Sequence, residues 1–142
     1  MVTIVSKARI VTTALPEDPV ILVVEDDSLV RSQTELMLKG AGFVTVATSN
    51  AEEALEILES RSDIGIVFTD INMPGVMDGL RLAHAVHWRW PKVKLLVTSG
   101  RGAPHEDELP TGARFLPKPY RRSNLIDALR DSLQPRPAVI VL

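Results

Sequence analysis

Apolar and polar positions change period several times along the chain, and each change marks an element. The run Pro19 to Asp26, PVILVVED, is short, continuous and β-branched, as a strand buried on both faces would be. In the next segment, SLVRSQTELMLKGAG, the period becomes helical. Val30, Thr34, Met37, Leu38 and Ala41 share one face, Asp27 or Ser28 is placed to cap the start, and Gly40 or Gly42 to end it. Phe43 to Ala47 reads as a second strand. A second helix follows with Ala51, Ala54, Leu55 and Leu58 as its stripe, and Ser49 or Asn50 with Glu52 or Glu53 as a capping box. Ile64 to Asp70 is a third strand. The next helix has Leu80, Ala83, Val86 and His87 or Trp90 facing inward, and Pro91 stops it. Val93 to Gly100 and Ala113 to Pro117 are the fourth and fifth strands. A last helix, Ser123 to Leu133, has Leu125, Ala128, Leu129 and Leu133 on its apolar side.

Strand and helix therefore alternate, which predicts an α/β fold: a parallel sheet with helices on both faces. In open sheets of this kind the ligand site lies beyond the carboxyl ends of the strands. Those ends carry chemistry: Glu25, Asp26 and Asp27 after the first strand, Asp70 after the third, Thr98 and Ser99 after the fourth, and Lys118 past the fifth.

Composition narrows the class. The chain has 142 residues, enough for one domain with a full core, and a formal net charge of −2, which offers no basis for direct nucleic-acid binding. It has no cysteine, which excludes disulfide frameworks and thiolate metal sites and fits a reducing, cytoplasmic compartment. No apolar run approaches the roughly 20 residues of a membrane span, so no membrane contact is expected. Clustered carboxylates repel each other, and a hard divalent cation such as Mg²⁺ or Mn²⁺ relieves that cost. Carboxylates, a cation, a lysine and a hydroxyl together suit a phosphoryl group: Lys118 would neutralise its oxygens and Thr98 would donate a hydrogen bond. A carboxylate can itself attack phosphorus, and Asp70 is the candidate if Glu25 and Asp26 serve the metal.

The set VVEDD, TDINMP…MDG, VTSG and PKPY, in this order, resembles the receiver domain of two-component response regulators from Val20 to Leu133. The resemblance implies a flavodoxin-like five-stranded parallel sheet of order 2-1-3-4-5. It implies Asp70 as phosphoacceptor, with metal ligands Asp26, Asp70 and the backbone carbonyl of Asn72, and Glu25 acting through water. Lys118 and Thr98 would stabilise the phosphoryl group, Thr98 and Phe115 would form the switch, and the Lys118–Pro119 peptide would be cis. The implied partners are a histidine kinase or a histidine phosphotransfer protein upstream and an unnamed protein downstream. Chemistry is limited to Mg²⁺-dependent self-phosphorylation and self-dephosphorylation. The alternatives are a Mg²⁺-dependent phosphohydrolase with an aspartate nucleophile and a pseudo-receiver that works without phosphorylation. The first normally has a second acid two residues after the nucleophile, where this chain has Asn72.

Two departures stand out. MPGVMDG has one residue more than the common pattern, which lengthens the loop beside Asp70. The segment between Thr98 and Lys118 is broken by Gly100, Gly102, Pro104, Pro110 and Gly112, so the fourth helix is expected to be shortened or irregular, with only HEDEL able to form a turn. Asp27 reads as a helix cap before a metal ligand, His84 and His87 as a partly buried or surface pair, and His105 as a solvated loop residue. The expected organisation is an N-terminal extension (1–18), a receiver domain (19–134) and a tail (135–142), too short for an output domain. Both tails carry β-branched runs. Disorder is the first expectation for them; the alternative is addition to a sheet edge or packing in a homodimer.

Overall fold

A computed structural model describes residues 2–5, 8–12, 18–134 and 137–141. Strands β1 (Val2–Val5) and β2 (Ala8–Thr12) precede β3 (Val20–Val24), α1 (Ser28–Gly40), β4 (Val44–Thr48), α2 (Ala51–Ser60) and β5 (Ile64–Asp70). Then come α3 (Gly79–Arg89), β6 (Lys94–Ser99), a single 3-10 turn (Glu106–Glu108), β7 (Arg114–Pro117), α4 (Arg122–Leu133) and β8 (Pro137–Val141). The central sheet has the order β4-β3-β5-β6-β7, all parallel. Its third strand, β5, is buried along its whole length, so Asp70 ends an element with water on neither face.

Each face of the sheet has its own core. On one side Val24, Val67, Val97, Leu58, Leu82 and Val86 pack between the sheet and α2 and α3. On the other, Ile21, Val23, Ile66, Phe68, Leu96, Leu125 and Leu129 pack against α1 and α4. Leu22, Ile66, Leu82 and Leu125 are fully buried; burying each such side chain contributes about 1.5–3 kcal/mol.

The helix ends follow local chemistry. The Asp27 carboxylate accepts from the backbone N–H of Leu29 and Val30 and caps α1. Asn50, rather than Ser49, caps α2 by accepting from Glu53 N–H, and Asp78 caps α3 by accepting from Arg81 N–H. In α3 the inward face differs from its expected register. Gly79, Leu82, Ala83 and Val86 are the buried residues, while Leu80, His87 and Trp90 are only partly covered. The stripe is broad because α3 faces both the sheet and α2. Trp88 is 80% exposed.

The segment expected to carry a reduced fourth helix holds only the 3-10 turn. Gly102 and Gly112 have φ of +101° and +85°, a conformation that a helix cannot use. The tails also differ from expectation. β1, β2 and β8 pair with one another in a three-stranded antiparallel sheet, in register Val2↔Val11 and Ala8↔Val141, and do not extend either edge of the central sheet. The remainder of 1–17 and of 135–142, including Pro135, lies outside the described residues.

Candidate functional site

At the carboxyl edge of the sheet, Glu25, Asp26 and Asp70 each place one carboxylate oxygen within 4.8 Å of the others. Glu25 and Asp70 are 4% and 6% exposed, whereas Asp26 is open to solvent. Lys118 reaches across from the loop after β7. Its Nζ donates to Glu25 Oε1 at 2.6 Å and to Asp70 Oδ2 at 2.8 Å. The second oxygen, Asp70 Oδ1, accepts from Asn72 N–H at 3.0 Å. Asp70 therefore has a cation on one oxygen and a backbone dipole on the other.

The electrostatics follow from this crowding. Burial pushes the Glu25 carboxyl above its ordinary value; the hydrogen bond from Lys118 opposes that shift and the Asp70 charge adds to it. Burial alone would lower the Lys118 ammonium, but its hydrogen bonds to Asp70 and Glu25 outweigh that and hold it above its ordinary value. The lysine is therefore a fixed positive charge at neutral pH. An oxygen-only donor set with one solvent-facing member, Asp26, suits a hard divalent cation.

Thr98 is the neighbour of Asp70 across β5 and β6. Its Oγ1 is buried and has no hydrogen-bond partner. An unsatisfied buried hydroxyl costs about 1–3 kcal/mol; the Thr45 and Thr48 hydroxyls are in the same state, and the one on Thr98 is free to donate to an oxygen brought beside Asp70. Phe115, paired with Val97 in β7, is partly buried against the α2/α3 core rather than at the acidic edge. The Lys118–Pro119 peptide is cis. Asp27 is occupied by its cap. His84 Nε2 lies 2.7 Å from the Glu108 carbonyl, which ties α3 to the 3-10 turn, and His105 is exposed.

Several contributors are not evident from the sequence. Gly79, the first residue of α3, is pressed against Asp70: a Cβ there would lie 1.9 Å from the Asp70 carbonyl oxygen. The Asp-Gly pair opening a helix just past the carboxylate is the one available signal. Thr34 of α1 and Tyr120 share a hydrogen bond of 2.7 Å, and Tyr120 packs edge-on against Phe68 beside the lysine loop. Arg31 donates to the Glu25 carbonyl at 2.8 Å and fixes the end of β3. Ser99 accepts two hydrogen bonds from neighbouring loops.

The sequence profile of the response regulator receiver domain matches residues 21–130. The chain belongs to that family. It is 34% identical over 110 residues to the response regulator protein FleR of Pseudomonas aeruginosa, covering 75% of this chain and 23% of FleR. It is 32% identical over 129 residues to the sensor kinase CckA of Brucella abortus, covering 86% of this chain and 13% of CckA. The chain thus spans less than a quarter of these relatives. Among solved structures, a response regulator receiver protein from Sinorhizobium medicae superposes with a TM-score of 0.76 at 29% identity, covering 82% of this chain and 95% of that one. The receiver domain of a hybrid histidine kinase CckA gives 0.69 at 32% identity, covering 81% and 99%. Receiver domains are phosphoacceptors in two-component signalling rather than enzymes acting on free substrates, and the sheet order and the acidic edge described above are those of this family.

Proposed function

We propose that residues 19–134 form a receiver unit that takes a phosphoryl group onto Asp70 from a histidine kinase or histidine phosphotransfer protein. The observation that carries this reading is the convergence of Lys118 and Asn72 N–H on the two Asp70 oxygens, beside the unpartnered Thr98 hydroxyl. In the transfer, a carboxylate oxygen of Asp70 forms a new O–P bond as the bond from phosphorus to the donor breaks. The donor keeps the electron pair. Asp26, Asp70 and the Asn72 carbonyl would hold Mg²⁺ or Mn²⁺, with Glu25 reaching it through water; the ion supplies charge neutralisation at the phosphoryl oxygens. Lys118 exchanges its contact with Asp70 for a phosphoryl oxygen, and the Thr98 hydroxyl donates a hydrogen bond to another.

Moving Thr98 toward the phosphoryl group would empty space beside β6 and β7, and Phe115 would change rotamer to follow it. That is a population shift between two packings, read by a downstream protein. Self-phosphorylation by small donors and self-dephosphorylation by water belong to the same proposal, as does a cytoplasmic location. Among the described residues no helix is long and apolar enough to cross a membrane. The phosphohydrolase alternative is not favoured: the matched relatives are signalling proteins, and Asn72 stands where a general acid is needed. Self-association through the β1–β2–β8 sheet is part of the partner proposal. Removing residues 136–142 lowers the mass seen by light scattering if it is correct, and an unchanged mass removes it.

The decisive experiment is intact mass after incubation with a small phosphodonor and Mg²⁺, beside Asp70→Ala. One phosphoryl adduct, lost in the variant and without Mg²⁺, is expected. An adduct that persists in Asp70→Ala would move the acceptor elsewhere. Absence of any adduct, with no phosphate released, would leave a phosphorylation-independent binding module.

A further inference from the structure

Ser99 is 4% exposed and sits where three loops of the site meet. Its Oγ accepts from Asn72 Nδ2 at 2.7 Å and from Arg101 N–H at 3.0 Å. Its carbonyl accepts from Lys118 N–H at 3.0 Å. One residue therefore ties the loop after β5, the segment after β6 and the loop that carries the lysine.

The Asn72 bond matters most. Asn72 touches the site through its main chain: its N–H holds Asp70 Oδ1, and its carbonyl is the proposed metal ligand. Its side chain is anchored on Ser99. Asn72 is held on the main chain by its own N–H on Asp70 Oδ1 and by Met73 N–H on the Ile71 carbonyl at 3.2 Å, and on the side chain by Ser99. With the Ser99 anchor gone the two main-chain bonds remain but the side-chain restraint is lost, and the peptide gains rotational freedom that must be lost again when a ligand binds.

We propose that Ser99 is a positioning residue: its hydroxyl, acting through the Asn72 side chain, sets the orientation of the Asn72 main chain and with it the affinity of the acidic site for a divalent cation. The inference rests on the reading of Asn72 given above. Partners one step removed from the metal typically change affinity about 10–100-fold when lost. A single exposed amide anchor belongs below that range, at about 3–10-fold.

The test is a double-mutant cycle on Mg²⁺ and Mn²⁺ affinity, read by isothermal titration calorimetry without any phosphodonor. Asn72→Ala keeps the backbone carbonyl and N–H but removes the anchored side chain. Ser99→Ala and Asn72→Ala are each expected to weaken binding by about 3–10-fold, and the double variant no more than either alone, because both remove the same hydrogen bond. Unchanged affinity in Ser99→Ala, or losses that multiply in the double variant, would overturn the proposal. Multiplying losses would mean that Ser99 acts through Arg101 or general packing instead. A wild type that binds neither ion overturns the metal reading and this inference together. A wild type that binds and is phosphorylated, beside an unaffected Ser99→Ala, overturns the role of Ser99 alone. Urea unfolding of each variant, read in parallel, separates an affinity change from loss of fold.

Discussion

Two crossovers leave adjacent strands of the same sheet and are built in opposite ways. The one from β5 to β6 contains α3, with Leu82, Ala83 and Val86 fully buried against the sheet and α2. The one from β6 to β7, residues 100–113, contains a single 3-10 turn, and only Pro110 in it is buried. Leu109 and Ala113 touch the core from its margin. Parallel strands need a crossover, but it need not be a helix. What the second crossover lacks in burial it replaces with a tether, His84 to the Glu108 carbonyl. The face of the sheet beside β7 and Phe115 is thus covered by a thin strap. A surface held this lightly can be reshaped at low cost when the site behind it changes state.

The largest effect that separates the two regions is expected from core truncation. Leu82→Ala should cost about 2–5 kcal/mol. Leu109→Ala, removing a half-buried side chain from the strap, should cost about 1–2 kcal/mol. Urea unfolding measures both, and equal losses would break the comparison. Glycine substitutions sharpen it at the two places where a crossover meets the site. Gly79→Ala drives a Cβ into the Asp70 backbone, so α3 or the end of β5 must shift; about 1–3 kcal/mol is expected. The same variant should lower the phosphoryl adduct in intact mass, because the displaced atom belongs to Asp70. At Gly100 an added Cβ meets only the Lys118 side chain at 3.8 Å, and Gly100→Ala should stay within about 0.5 kcal/mol.

The tether gives an intermediate effect. His84→Ala removes one side-chain hydrogen bond, worth about 0.5–1.5 kcal/mol. Amide hydrogen exchange locates the change: residues 101–112 should exchange much faster than 79–89 in the wild type, and faster still in His84→Ala. Helix-like protection of 101–112 would refute the strap.

Much of this is legible from local pattern. Continuous β-branched runs mark β3 and β5, 3.6-residue stripes mark α1 and α2, and the Gly and Pro spacing marks the missing helix, because each is written in neighbours along the chain. The strand-end rule places Glu25, Asp26, Asp70, Thr98 and Lys118 at one edge, and the structure brings them there. What escapes depends on distant partners. The close approach of Gly79 to Asp70 is fixed by how α3 lies on the sheet. Ser99 is visible at a strand end, but its bond to Asn72 joins loops 27 positions apart. Leu82 replaces Leu80 as the deepest residue of α3 because α2 as well as the sheet lies against that helix. The pairing of the two tails joins opposite ends of the chain, which no local period encodes.

The smallest effect is a control on the other face. Tyr120 is the only tyrosine of the chain. It packs on Phe68 in the α1/α4 core and is bonded to Thr34, away from the strap. Burial raises its phenol above the ordinary value of 10.0, with the Thr34 bond opposing. The folded protein therefore keeps a proton that the unfolded chain releases, so more protons are bound in the folded state. Stability from this group is constant below about 10 and falls as pH rises through the interval up to the raised value. Lys118, held above 10.5, adds a loss of the same sign at still higher pH. Near-ultraviolet absorbance of tyrosinate should show titration delayed beyond that of a free phenol. Thr34→Val removes an opposing influence and should delay it further, whereas Leu109→Ala and His84→Ala should leave it unchanged. If loosening the strap moved the tyrosine, the two faces would be mechanically one, and the thin crossover would be acting through the whole sheet rather than on its own side of it.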